Sequence, residues 1–175
     1  MENIIFLDVD GVLNSDGYYD SLKDIPLEEQ DEFDEISDYH LQMLSKIYHT
    51  CNAKIVLSST WRELYDKKCP NDYCMKMYQY LVDSLLKYDM QISDHTPSIY
   101  VNRPLEILTW LENHGGKENY NFVSLDDDFS KEDYEAYGIG DCLIHTIFFT
   151  HDMSKGGLQQ EHVDLAINKL KGNIE

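Results

Sequence analysis

Asn3-Ile4-Ile5-Phe6-Leu7-Asp8-Val9-Asp10-Gly11-Val12 is the stretch whose reading decides the fold. A short, nearly continuous apolar run with no alternation, ending at an aspartate, reads as a strand buried on both faces of a parallel sheet. The pattern recurs at Lys54-Ile55-Val56-Leu57, which ends at Ser58, and at Asn121-Phe122-Val123-Ser124-Leu125, which ends at Asp126. A fourth run covers Leu143 to Phe149 and ends at Thr150 and His151, and a weaker candidate is Met90-Gln91-Ile92-Ser93.

Helical spacing fills the intervals. Leu41, Leu44 and Ile47 share one face, with Ser37 or Asp38 available as N-cap. Tyr78, Leu81, Val82, Leu85 and Leu86 form a stripe at helical period. Ile107, Leu108 and Leu111 follow Pro104, which suits a first helical turn, and His114-Gly115-Gly116 ends that helix. Ser130-Lys131-Glu132-Asp133 resembles a capping box, and Val163, Ala166, Ile167 and Leu170 form the last amphipathic segment. Strands alternating with helices predict an α/β domain with a mostly parallel sheet. Residues 1–175 show no repeat and no linker composition, so one domain is expected, with an acidic, exposed insertion at about residues 16–38.

Composition narrows the function. Hydrophobic residues make up 42% of the chain, which is globular rather than disordered. No apolar run approaches the roughly 20 residues of a membrane helix, and the first residues lack a basic, apolar leader, so a cytoplasmic location is expected. The four cysteines, Cys51, Cys69, Cys74 and Cys142, could form disulfides or a zinc site; reduced thiols are the expectation in such a compartment. The net charge of −19 repels polyanions and argues against an extended grip on nucleic acid. It leaves room for a phosphorylated small molecule, or for a nucleic-acid end held through a metal.

In an open parallel sheet, ligands bind beyond the carboxyl ends of the strands. Those ends carry Asp8 and Asp10, Ser58 and Ser59, and Asp126, Asp127 and Asp128. Carboxylates brought so close repel one another unless a cation joins them, and hard oxygen ligands in small number suit Mg²⁺.

Asp8-Val9-Asp10-Gly11 after an apolar strand resembles the aspartate signature of the haloacid dehalogenase (HAD) family. Leu57-Ser58 resembles its second motif, Arg103 its basic third motif and Leu125-Asp126-Asp127 its fourth. Leu57-Ser58-Ser59-Thr60-Trp61-Arg62 and Leu125-Asp126-Asp127-Asp128 are most similar to the HAD domains linked to RNA-repair (Swiss Army Knife) proteins. The resemblance implies a Rossmann-like three-layer α/β/α sandwich of five strands, in the order 5-4-1-2-3. The intervals between motifs leave no room for a large cap. It further implies a Mg²⁺-dependent phosphohydrolase in which Asp8 is the nucleophile that forms an aspartyl-phosphate and Asp10 the general acid and base. Asp8, the Asp10 backbone carbonyl, Asp126 and Asp127 would hold the metal; Ser58 and Arg103 would contact the phosphate. An open site goes with bulky substrates, and a nucleotide or nucleic-acid terminal phosphate is the preferred class.

Several residues keep two readings. Ser59 competes with Ser58, and Lys117 with Arg103. Arg62 either reaches the substrate or stacks on Trp61. Asp128 reads as a turn residue before a third metal ligand, and His151-Asp152 as a surface loop before a helper in proton transfer. Tyr18, Tyr19, Tyr73, Tyr78 and Tyr80 read as half-buried packing before base-stacking. Two other functions fit the acidic cluster: a metal-dependent nuclease without a covalent intermediate, and a non-catalytic domain of the same fold.

Overall fold

The computed structural model describes residues 1–29, 32–65 and 72–172. Its elements run β1 (Glu2–Leu7), α1 (Asp16–Leu22), α2 (Asp38–Cys51), β2 (Lys54–Leu57), α3 (Arg62–Tyr65), α4 (Asp72–Leu86), β3 (Ile92–His95), α5 (Arg103–Asn113), β4 (Tyr120–Asp126), α6 (Lys131–Glu135), β5 (Leu143–His145) and α7 (Gln160–Leu170), with short 3-10 turns between some of them. The five strands form one sheet in the order β3-β2-β1-β4-β5, and every pair is parallel. This is the HAD-like α/β sandwich and strand order expected from the sequence.

The alternation of side chains along each strand sorts the core into two layers. Ile5 and Leu7 of β1, with Ile55, Leu57, Val123 and Leu125, pack toward α2, α4 and α7. Ile4 and Phe6, with Val56, face Ile107, Trp110 and Leu111 of α5 and Tyr134 of α6. Each such aliphatic side chain contributes about 1.5–3 kcal/mol when fully buried. Because both layers draw on β1, its run has no polar alternate.

β1 is also where the chain reverses direction across the sheet: β2 and β3 are laid down on one side of it, β4 and β5 on the other. The hydrogen-bond ladder continues past the strand ends, with Asp8 N–H donating to Leu125 O, Ser58 N–H to Leu7 O, Thr96 N–H to Leu57 O and Thr146 N–H to Asp126 O. The polar residues after the strands therefore form one row along the carboxyl edge.

Four expectations are corrected. β5 stops at His145 instead of reaching Phe149, and β3 starts two residues late, at Ile92. Residues 146–150 leave the sheet to pair with α1, through Asp16 N–H to Phe148 O and Gly17 N–H to Thr150 O. The acidic insertion is only partly exposed: it includes α1, and Ile36 and Ser37 are buried where Ser37 N–H meets Leu13 O. Cys51 and Cys142 are free, buried thiols, but Cys74 is disulfide-bonded; Cys69 lies outside the described residues. The sequence carries no CxxC pair, and spacing alone does not decide between a free thiol and an S–S bond. Among the described residues no second sheet stands beside the first, and no helix is long and apolar enough to cross a membrane.

Candidate active site

Asp8 is the first residue beyond β1 and is buried. One carboxylate oxygen accepts the Val9 N–H at 2.7 Å, and the other accepts Nη2–H of Arg103 at 3.0 Å. The Ser59 side chain also hydrogen-bonds this carboxylate. Burial pushes the Asp8 carboxyl up to about 7; Arg103 opposes the shift and the neighbouring Asp126 adds to it.

Asp126 ends β4 on the adjacent strand. Its Oδ1 accepts backbone N–H groups of Asp128 (2.9 Å) and Phe129 (3.3 Å), and its Oδ2 accepts the Tyr134 hydroxyl at 3.1 Å. Those bonds close the turn after β4 and fix the carboxylate. Burial still holds Asp126 above the usual carboxylate range. Asp127 follows, raised to about 7 by burial and then by repulsion from Asp128, Asp8 and Asp126.

Carboxylate oxygens of Asp8, Asp126 and Asp127 lie within 4.8 Å of one another. Three carboxyls that resist ionising together, two of them buried, are a site short of positive charge. The single guanidinium of Arg103, 3.0 Å from Asp8 and 3.6 Å from Asp126, is too little to balance three charges. A small hard dication relieves that deficit, and an all-oxygen donor set fits Mg²⁺. Asp128 stays outside the cluster: its side chain is exposed and its backbone N–H serves Asp126.

Gly11 permits the approach. Its φ of +69° suits glycine, and a Cβ there would lie 2.0 Å from Asp127 Cγ. The Gly11 N–H donates to Asn14 Oδ1 at 2.9 Å, and Asn14 Nδ2 donates to Asp10 Oδ1 at 3.0 Å. Asp10 is exposed, and its other oxygen accepts Nε1–H of Trp61 at 3.0 Å. Both oxygens of the Asp10 carboxylate are thus held by neighbouring N–H donors.

Arg103, the first residue of α5, is buried; Asn102 caps that helix by accepting Leu105 N–H, and Pro104 sits in its first turn. Arg103 Nη1 is buried with no hydrogen-bond partner. Lys117, the rival cation, belongs to a 3-10 turn that leads into β4, at the opposite end of that strand.

Ser58 and Ser59 are both buried but face different neighbours. Ser58 Oγ accepts the Thr96 hydroxyl at 3.2 Å, whereas Ser59 reaches Asp8. Arg62 is buried beside the loop after β2. It donates Nη1–H to Ser59 O (3.0 Å) and Nη2–H to Glu106 (2.9 Å), bracing the loop that carries Ser59. His151 pairs with Asp20 at the surface. Tyr18 and Tyr80 bond the backbone of Ile36, Tyr19 bonds Glu35 and Tyr78 bonds His95, while Tyr73 rests against Phe33.

Asn14, Trp61, Glu106 and Tyr134 carry site geometry that the sequence reading did not assign. The capping box at Ser130 was the one available pointer, since it fixes the helix from which Tyr134 returns to Asp126. The model of one family, described as the HAD domain in Swiss Army Knife RNA repair proteins, matches residues 4–163. No curated protein matches the chain.

Proposed function

This chain belongs to the HAD domains of Swiss Army Knife RNA repair proteins, and on that premise we propose that it is a phosphomonoester hydrolase with Asp8 as nucleophile. The observation that carries the reading is the pairing of Asp8 with Arg103 inside the acidic trio, with one Arg103 nitrogen buried and unpartnered. An anionic phosphoryl oxygen supplies the missing acceptor.

A carboxylate oxygen of Asp8 attacks phosphorus as the bond to the leaving oxygen breaks, and the aspartyl-phosphate splits hydrolysis into two easier steps. Asp10 gives its proton to the leaving oxygen, then accepts one from the water that attacks the phosphorus of the intermediate. Arg103 and the Ser59 hydroxyl, both against Asp8, stabilise charge on the transferring group. Ser58, already bonded to Thr96, supports the strand end. Asp8, Asp126 and Asp127, with the Asp10 carbonyl, would hold Mg²⁺, which when bound offsets repulsion between the nucleophile and the phosphate dianion. The absence of a second sheet among the described residues and the family's description together favour a nucleotide or nucleic-acid terminal phosphate as substrate.

The test is hydrolysis of p-nitrophenyl phosphate and of phosphorylated oligonucleotide ends by wild type and Asp8→Asn, each with Mg²⁺ and with EDTA. Activity that needs both Asp8 and Mg²⁺, with a phosphoenzyme trapped only in wild type, is the expected result. Turnover indifferent to Asp8 would remove it as the nucleophile; turnover that needs Asp8 and Mg²⁺ but never yields a phosphoenzyme would assign the acidic trio to direct activation of water.

A further inference from the structure

A cavity of about 400 Å³ opens between α6 and the turn that precedes α5. One wall is the turn before α5, with Tyr100 and Val101; the other is α6 and the residues after it, with Glu132, Ala136 and Tyr137. Phe129 belongs to the cavity and to the catalytic centre at once. Its ring centre lies 5.9 Å from the guanidinium carbon of Arg103, which bonds Asp8 at 3.0 Å.

The turn is unusual in two ways. Tyr100 and the β-branched Val101 both adopt left-handed backbone, with φ of 50° and 55°. Such conformations are costly outside glycine and persist where surrounding structure imposes them. Here Ile99 N–H is fixed by Glu106 at 2.8 Å, and Asn102 Nδ2–H by the Tyr137 hydroxyl at 2.7 Å. The strain holds two apolar side chains in solvent: Tyr100 is 99% exposed and Val101 is 71% exposed.

We propose that this cavity is a subsite for a neutral heteroaromatic ring on the leaving group of the phosphomonoester, the chemistry of a nucleobase. The inference rests on the phosphohydrolase reading and adds where the leaving group goes. Tyrosine and phenylalanine rings offer stacking surface for such a ring. The Glu132 carboxylate, which forms no hydrogen bond or ion pair among the described residues, offers an acceptor for ring N–H groups and repels a second phosphate. An ammonium would also favour aromatic rings beside a carboxylate. The leaving group of a nucleotide or nucleic-acid terminal phosphate, the substrate class proposed above, carries a heteroaromatic ring and no ammonium, and the choline arm of the test decides between the two.

The test is titration of the ¹⁵N-labelled full chain with adenosine, and separately with choline, followed by amide chemical shifts. Adenosine should shift Val101, Phe129 and Tyr137 saturably in the millimolar range, choline should not, and Ala136→Trp should weaken adenosine at least tenfold by filling the cavity. Adenosine that moves no amide, or moves amides elsewhere, overturns the proposal; so does choline acting on this set, or full adenosine binding by the Ala136→Trp variant. No turnover is read, so failure here is separate from failure of the hydrolase reading, which the Asp8→Asn assay reports.

Discussion

The indole Nε1–H of Trp61 donates to Asp10 Oδ2 at 3.0 Å and so ties the loop after β2 to the loop after β1. With Asn14 holding the other oxygen, the exposed carboxylate has a fixed orientation toward solvent, where a leaving group would stand. Trp61→Phe keeps the packing and deletes the donor. The kcat for an alkyl phosphate should fall about tenfold, equivalent to ~1.4 kcal/mol of barrier. p-Nitrophenyl phosphate, whose leaving group needs little protonation, should fall less; equal losses on both esters would make Trp61 a packing residue only.

Glu106 and Arg62 form an ion pair at 2.9 Å, with side chains 1% and 8% exposed. Glu106→Gln strands the guanidinium in an interior that already holds its pKa down, chiefly through burial. Breaking a buried pair from one side costs about 3–5 kcal/mol, so the urea midpoint should drop sharply. A midpoint unchanged within error would mean that water reaches the pair.

Mg²⁺ should stabilise the wild-type chain. At a concentration of about 100 times its Kd, one bound ion adds ~2.7 kcal/mol. At about 2–4 °C per kcal/mol for this size, that is a rise of roughly 5–10 °C in Tm by scanning calorimetry. In Gly11→Ala the new Cβ must displace the Asp127 carboxylate, so most of the rise should vanish. A full rise in that variant would remove Asp127 from the metal site.

His40 gives the protein an acid-sensitive brace. Its Nε2 contacts Gly156 O at 3.0 Å, and burial lowers its pKa below the usual 6.5. The unfolded chain therefore binds this proton first, so the stability is fully present above pH 6.5 and is lost as pH falls toward the folded value. Asp8 and Asp127, raised in the fold, contribute with the opposite sign. The difference between wild type and His40→Gln cancels them: it should narrow from pH 7.5 to pH 5.5 in urea melts. A difference independent of pH would mean that His40 stays neutral throughout.

The strands were legible because burial on both faces leaves no polar alternate, and Lys54–Leu57 coincides with its expected bounds. The same rule overextended β5, since Ile147 and Phe149 are apolar yet exposed, on a segment whose backbone pairs with α1. α1 carries Asp-Gly-Tyr-Tyr-Asp-Ser-Leu with no apolar stripe, and its N-cap Ser15 was the only local cue. Asp8, Asp126 and Asp127 could be read because each directly follows or ends a strand. The partners of Arg62 and Asp10 could not: Glu106 lies 44 residues from Arg62 and Trp61 lies 51 from Asp10, and no local pattern encodes contacts at that range.

The central place of β1 fixes the order in which the site can come into being. Leu7 pairs with Leu125, across 125 − 7 = 118 residues, so the first strand made must wait for the penultimate one. A nascent chain can zip β1 to β2 and build the α2 layer while Asp8 still lacks the two acidic neighbours it needs. Long-range pairing of this kind is slow to form, because the loop must close before its contacts reward closure. Metal capture during refolding should consequently trail helix formation, and its time course would report the closing of the sheet itself.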